Sequence, residues 1–216
     1  MRRFEAIMVL ALSVIGCCGI ASPSRAQTII DEWKSVELPP PPPLVPATVD
    51  PKTTALLLLD FTNQTCTKER RPRCAASVPK LQKLLADARA RGMFVVYSVA
   101  TPGATGADIL KELAAASGEP VLPPLGPDKF IGSDLEKTLK DKGVNTLIVT
   151  GTAANTSVLH TGGEAALRGF KVIVPVDGMS SNDAFSELYT AWHLANAARI
   201  STQTTLTRVD MISYAP

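Results

Sequence analysis

The residues best suited to chemistry lie where an apolar run gives way to small polar side chains. Residues 146–150 read Thr-Leu-Ile-Val-Thr, and Gly151 then opens a polar segment that leads to Ser157. A hydroxyl at the start of a helix meets unpaired backbone N–H groups and the positive end of the helix dipole, which suits a nucleophile. A serine nucleophile also needs a base beside it. Ser157 is therefore either a nucleophile with such a base or a helix-opening residue that only satisfies backbone donors.

Two charged residues elsewhere in the chain could complete such a site. Asp60 directly follows four consecutive leucines and would lie at the rim of a buried sheet, where it could transfer protons or cap the following loop. Lys129, in the segment Pro-Asp-Lys-Phe, could place a positive charge beside Asp60 or could be a solvated loop lysine. The sequence leaves both pairs of alternatives open.

The pattern gives no indication of a metal or a nucleotide cofactor. The only two histidines, His160 and His193, have no metal-ligand spacing, and we interpret them as a polar helix residue and a packing residue. Neither GxGxxG after the first strand nor GxxxxGK(S/T) is present. We therefore predict no cofactor and no metal.

Alternating strands and helices must position these residues. The predicted strands are residues 54–60, 93–98, 121–122, 146–150, 171–175 and 204–209. The predicted helices are residues 78–91, with Ser77 as N-cap, 107–116, 133–142, a helix opening at 155–157, and 182–198. This alternation predicts βαβ units and a three-layer α/β/α domain with a parallel sheet. Ligands bind at the carboxyl ends of such strands, so we expect substrate contacts from Asn63, Ala153, Ala154 and Asn155.

The first residues have the features of an export signal. Arg2 and Arg3 precede an apolar run at 7–21 that is too short to span a bilayer, and cleavage after Ala26 is expected. The alternatives are lipoprotein processing at Cys17 and an uncleaved anchor. We therefore divide the chain into a signal peptide (1–26), a proline-rich linker (27–52) and one domain (53–216), and expect a periplasmic or secreted protein without a membrane span.

Charge and cysteine content agree with export and disfavour some partners. Residues 1–26 contain three Arg and one Glu, so their removal lowers the formal charge from +2 to 0. This balance gives no support for nucleic-acid or membrane-surface binding. Cys66 and Cys74 lie eight positions apart in one loop. In an exported protein, we expect a disulfide between them rather than a metal site or a nucleophile.

Three segments together resemble the isochorismatase-like hydrolases, also called the cysteine hydrolase family. They are Ala55-Leu-Leu-Leu-Leu-Asp-Phe-Thr-Asn63, the stretch from Lys129-Phe-Ile-Gly-Ser-Asp-Leu135 to Gly151, and Gly151-Thr-Ala-Ala-Asn-Thr-Ser-Val158 with its continuation to Asp177. The resemblance implies a parallel sheet of about six strands, a homo-oligomer, and a cis peptide near Ala153–Ala154.

The resemblance also implies a catalytic set of Asp, Lys and Cys, carried here by Asp60, Lys129 and Ser157. Serine stands at the cysteine position, Lys129 is adjacent to Phe130 instead of several residues before it, and the family's Asp-x-His metal motif is absent. Three functions follow as alternatives: hydrolysis of a small amide or ureide, cleavage of a vinyl ether by Asp60 as general acid, or a catalytically silent exported binding or scaffold module.

Overall fold

The computed structural model describes residues 28–216, which divide into two units. The predicted signal peptide and the lipidation alternative at Cys17 lie outside the described residues. In the first unit, which ends at Leu38, the described residues contain one short helix, α1 (Ile29–Glu32). The second unit, Pro39–Pro216, carries the sheet. In the described part of the chain, no helix is long and apolar enough to cross a membrane.

The second unit contains nine strands and four helices. The strands are β1 (Ala47–Val49), β2 (Thr54–Leu59), β3 (Phe94–Ser98), β4 (Val121–Leu122), β5 (Thr146–Thr152), β6 (Lys171–Pro175), β7 (Met179–Ser180), β8 (Thr204–Thr207) and β9 (Ile212–Tyr214). The helices are α2 (Pro72–Ala90), α3 (Leu135–Asp141), α4 (Leu159–Leu167) and α5 (Ala184–Asn196).

Seven of the strands form one parallel sheet in the order β4-β3-β2-β5-β6-β8, with β7 paired to the end of β5. Both faces of this sheet are covered. Alternate residues of β2 divide between two apolar clusters: Leu56 and Leu58 pack with α2, whereas Leu57 and Leu59 pack with α3, α4 and α5. This is the predicted three-layer α/β/α fold. Burial on both faces explains why β2 is an uninterrupted apolar run instead of an alternating one.

Helix α2 begins six residues earlier than the sequence predicted. It starts at Pro72, because a proline at the first helical position loses no hydrogen bond and already has a helical φ. Ser77 is therefore inside the helix, where its hydroxyl donates to the carbonyl of Cys74 (2.8 Å), and it is not the N-cap. Pro79 is tolerated within the helix. Cys74 consequently lies on a helix and not in a loop.

Three further differences concern short elements. The helix predicted at 107–116 is wrong: the segment forms two separate 3₁₀ turns, Gly106–Asp108 and Lys111–Leu113. Strand β1 lies in the range predicted to be linker and pairs with β9, which was also not predicted. Both strands are three residues long, and their pairing joins segments about 165 residues apart, which no local pattern indicates.

Candidate active site

Neighbouring strands of the sheet bring the predicted site residues to one edge. Strand β2 pairs with β3 and with β5, and Leu59 is in register with both Ser98 and Gly151. The carboxyl ends of the three strands therefore lie side by side. Asp60, Ser98 and the turn that follows β5 meet at this edge, as the strand-end rule predicts.

Asp60 is held in an unusual backbone conformation. Its φ is +64°, in the left-handed region that is unfavourable for a residue with a Cβ. Its N–H donates to the carbonyl of Ser98 (3.1 Å), and its own carbonyl accepts from the hydroxyl of Thr65 (2.5 Å) and the amide of Thr62 (2.9 Å). These bonds fix the conformation. Non-glycine residues in this region concentrate at functional sites.

The carboxylate of Asp60 is fully buried, accepts hydrogen bonds from two serine hydroxyls and forms an ion pair with a lysine. Its Oδ1 accepts from the hydroxyl of Ser98 at 2.7 Å. Its Oδ2 accepts from the hydroxyl of Ser157 and lies 3.0 Å from Nζ of Lys129. The structure thus brings Asp60, Lys129 and Ser157 together, although they are separated by up to 97 positions in the chain.

Lys129 reaches this carboxylate from the loop before α3. Only 1% of its side chain is exposed, so it is not a solvated loop lysine. Its backbone N–H donates to the hydroxyl of Thr161 on α4 (3.2 Å), and Nζ also donates to the carbonyl of Gly126 (3.2 Å). Lys129 is adjacent to Phe130, which packs in the core. The Lys129 ammonium nevertheless reaches Asp60.

Ser157 lies on a π-helical turn and not on a regular α-helix. Strand β5 continues through Thr152, and the next peptide bond, Thr152–Ala153, is cis. The expected cis bond is thus present one position before Ala153–Ala154. The wide turn, Ala154–Val158, precedes α4 and places the Ser157 hydroxyl on Asp60. Such turns occur frequently at functional sites.

A cavity of about 340 Å³ opens above this cluster. It is lined by Asp60, Thr65, Arg71, Ala100, Thr152, Ala153, Asn155, Thr156, Ser157, Ser181, Asn182, Asp183 and Ser186. Its walls come from the loop after β2, the turn after β5 and the segment that enters α5. The volume suits a small molecule.

Two of the four residues predicted to bind substrate line the cavity, namely Ala153 and Asn155. Ala154 does not, because its side chain is fully buried in the apolar cluster behind the turn. Asn63 is exposed and lies beyond the cavity wall, where its amide N–H donates to the carbonyl of Asp108. The β2 loop turns away at this point, which the strand-end rule cannot show.

Arg71 also lines the cavity, although no sequence pattern indicated a role for it. Its Nε donates to Oδ1 of Asn182 (2.9 Å), and its Nη1 donates to the hydroxyl of Thr152 (2.7 Å). Burial, and then the neighbouring charge of Arg70, lower the pKa of Arg71. The sequence does show an arginine between the two cysteines, but it does not show which way this side chain points.

A disulfide joins Cys66 and Cys74, as predicted, with their Cα atoms 5.3 Å apart. It closes the loop that carries Arg71. Among residues 28–216, no group of three or more His, Cys, Asp or Glu side chains could hold a metal ion. His160 is exposed, and the ring of His193 packs against that of Tyr189, with centroids 5.8 Å apart. Neither histidine lines the cavity.

Comparison with known proteins matches residues 54–206 to the isochorismatase domain. A secreted isochorismatase effector of Verticillium dahliae is 27% identical over 148 residues, which is 64% of this chain and 78% of the effector. An N-carbamoylsarcosine amidase of an Arthrobacter species is 39% identical over 69 residues, covering 32% of this chain and 26% of the amidase.

A solved structure has the same fold. The isochorismatase-like hydrolase from Alkaliphilus metalliredigens superimposes with a TM-score of 0.65 at 27% sequence identity. The match covers 73% of this chain and 95% of that chain. The shared region therefore includes nearly the whole of the solved hydrolase.

Proposed function

The chain belongs to the isochorismatase family, and we propose that it hydrolyses a small amide or ureide at the Asp60–Lys129–Ser157 cluster. The observation that carries the proposal is the hydrogen bonding of Asp60. Its carboxylate is buried at the base of an open cavity, accepts a hydrogen bond from the Ser157 hydroxyl and forms an ion pair with the Lys129 ammonium. A nucleophilic hydroxyl is activated when it donates a hydrogen bond to a carboxylate, and here a cation lies beside that carboxylate.

The reaction follows from these contacts. Asp60 takes the Ser157 proton while Oγ attacks the carbonyl carbon of the substrate, giving a tetrahedral intermediate. The proton then passes from Asp60 to the departing nitrogen, the C–N bond breaks, and an ester on Ser157 remains. Water attacks this ester with Asp60 again as base, which releases the acid and restores the serine. Lys129 stabilises the carboxylate between these steps, because its ammonium lies 3.0 Å from Oδ2.

The relatives support an amide or ureide as the substrate class. One relative is by name an N-carbamoylsarcosine amidase, and its similarity to this chain is 39% over 69 residues. The Verticillium relative is by name an isochorismatase effector, and isochorismatases cleave a vinyl ether, so vinyl ethers stay in the panel. The Ser157 hydroxyl beside the Asp60 carboxylate suits attack on a carbonyl carbon better than protonation of a vinyl ether. We therefore place amides and ureides first in the order of substrates to test.

A second candidate is a catalytically silent exported binding module. The observation that favours it is Ser157 itself, because a serine hydroxyl is far less acidic than the thiol that the family resemblance places at this position. Burial of Lys129 argues against it, since a silent protein has no need to keep a charged pair away from water. Turnover separates the two candidates.

We also propose export, with residues 1–26 as the signal peptide. The Cys66–Cys74 disulfide and the secreted relative are both compatible with this location. Disulfides persist in oxidising compartments. A fusion of residues 1–26 to a reporter that is active only outside the cytoplasm tests it directly, and activity that stays in the cytoplasmic fraction contradicts it.

Release of ammonia or amine from a panel of amides and ureides, and of the alcohol from a panel of vinyl ethers, tests the function. The wild-type protein should turn over at least one amide or ureide. Ser157→Ala should abolish that turnover if Ser157 is the nucleophile, whereas Ser157→Cys should preserve or raise it because a thiol is the stronger nucleophile. Full activity in Ser157→Ala contradicts the covalent route. Silence of both the wild type and Ser157→Cys across the panel supports the binding module.

A further inference from the structure

The guanidinium of Arg71 lines the same cavity as Asp60 and Ser157 but has no anionic partner. Its Nε and Nη1 donate to the neutral acceptors Asn182 and Thr152. Among residues 28–216, its Nη2 has no hydrogen-bond acceptor, and no carboxylate lies within ion-pairing distance of it. Arg73, two residues away, is instead paired with Glu187. The positive charge of Arg71 in the cavity wall thus has no ion-pair partner within the described part of the chain.

No other charge that the described residues place at the cavity forms an ion pair with Arg71. The charges of Asp60 and Lys129 cancel each other, because they form an ion pair at 3.0 Å. Asp183 also lines the cavity, but its carboxylate caps α5 by accepting from the amide (2.8 Å) and the hydroxyl (2.9 Å) of Ser186. The partial burial of Arg71 raises the cost of leaving its charge unpaired, since arginine does not lose its proton in proteins.

The loop that carries Arg71 is held firmly. The Cys66–Cys74 disulfide joins the two ends of this loop, and the Arg71 amide donates to the carbonyl of Thr67 (2.8 Å). The Arg71 carbonyl in turn accepts from the amides of Cys74 (3.0 Å) and Ala75 (3.2 Å) at the start of α2. With the side chain also tied to the turn after β5, the guanidinium is positioned before any ligand arrives.

We propose that Arg71 binds a carboxylate of the substrate, so that the natural substrate is an amide or ureide that also carries a carboxylate. Its Nη2 is free to donate to a carboxylate oxygen, and such a charge-assisted hydrogen bond is stronger than a neutral one. The substrate carbonyl would then lie over Ser157, with the substrate carboxylate at Arg71. This inference rests on the proposed function for the bond that is cleaved, but the carboxylate subsite can be tested without turnover.

The test uses the whole protein and two ketones that cannot be hydrolysed. The first, 4-oxopentanoate, carries a carbonyl and a carboxylate, and the second, 5-hydroxypentan-2-one, is its neutral counterpart. Binding is measured by ligand-observed NMR titration for the wild type, Arg71→Gln and Arg70→Gln. Arg70 is the matched control: it is exposed, and its Nη1 donates to the carbonyl of Gln64.

We expect the wild type to bind the acid about 10-fold more tightly than the neutral ketone, as one charge-assisted contact allows. Arg71→Gln should lose this preference, and Arg70→Gln should keep it. Equal binding of the two ketones by the wild type, or no binding of the acid, overturns the proposal. An equal loss of the preference for the acid in Arg71→Gln and Arg70→Gln also overturns the proposal. So does weaker binding of both ketones by Arg71→Gln, because that result would indicate a purely structural role for Arg71.

A kinetic comparison separates this proposal from the proposed function. If N-carbamoylglycine is hydrolysed, Arg71→Gln should raise its KM about 10-fold and leave that of the neutral N-carbamoylglycinamide unchanged. Hydrolysis with no preference for the acid would retain the proposed function and overturn the carboxylate subsite. Preferential binding of 4-oxopentanoate without hydrolysis of any amide would retain the subsite and overturn the function.

Discussion

Replacing Lys129 by methionine should destabilise the protein strongly, because it leaves the Asp60 carboxylate buried without its counter-ion. The two side chains are each about 1% exposed, and Nζ lies 3.0 Å from Oδ2. At an effective dielectric constant of about 20, two charges at this distance attract by about 5 kcal/mol before desolvation is counted. Removing one partner of a buried pair typically costs about 3–5 kcal/mol. We expect a loss in that range.

Urea unfolding at neutral pH measures this loss, and a double-mutant cycle isolates the pair. Asp60→Asn alone leaves the ammonium unpaired, while Asp60→Asn/Lys129→Met removes both charges, so the double variant should be destabilised by clearly less than the sum of the single variants. Lys83→Met is the control, because Lys83 is exposed and lies 4.0 Å from Asp87. It should not shift the midpoint.

The reasoning about the buried pair would be refuted by two results. One is a loss below about 1 kcal/mol for Lys129→Met, which is the size of a surface pair. The other is strict additivity in the double variant. Either result would mean that water reaches the pair, and the account of Asp60 as a carboxylate held away from solvent would then be wrong.

Two further predictions concern the frame of the site. Replacing Cys66 and Cys74 by serine should lower the free energy of unfolding by about 2.5 kcal/mol, which is the value expected for opening a loop of this length. Urea unfolding with and without reductant measures this loss. An unchanged unfolding midpoint would contradict the prediction. Gly151→Ala should lower the melting temperature and the activity together, because a Cβ at this position would lie 2.8 Å from the Cβ of Leu59. Overpacking of this kind typically lowers the free energy of unfolding by about 1–3 kcal/mol. A wild-type melting temperature and wild-type activity would show that the turn tolerates the methyl group.

The main sheet was readable from the sequence because its strands are buried on both faces. Four continuous apolar or β-branched runs, at residues 54–60, 93–98, 146–150 and 171–175, indicated parallel strands joined by helices. The same property explains why Asp60 was visible: a carboxylate directly after four leucines must lie where the buried strand ends. The strands β1, β7 and β9 were not predicted, because their two or three residues have no pattern that distinguishes them from a loop.

Details of the site required tertiary contacts that have no local signature. The Lys129 ammonium reaches Asp60 because its loop is held by Thr161 on α4, more than 30 positions later. Arg71 turns into the cavity because Asn182 and Thr152 accept its donors. The loop after β2, where Asn63 was expected to bind substrate, instead directs that residue to solvent. Residue type and strand-end position thus indicated where Asp60 and Ser157 would lie, but not the walls around them.

Turnover by Asp60→Asn tests the central claim most directly. Asparagine keeps the shape of the side chain but cannot accept the Ser157 proton, so kcat/KM for the best amide or ureide should fall by at least about 100-fold. Circular dichroism should confirm that the variant is folded at the assay temperature. A folded Asp60→Asn protein that retains wild-type kcat/KM would contradict the assignment of acid–base chemistry to this carboxylate.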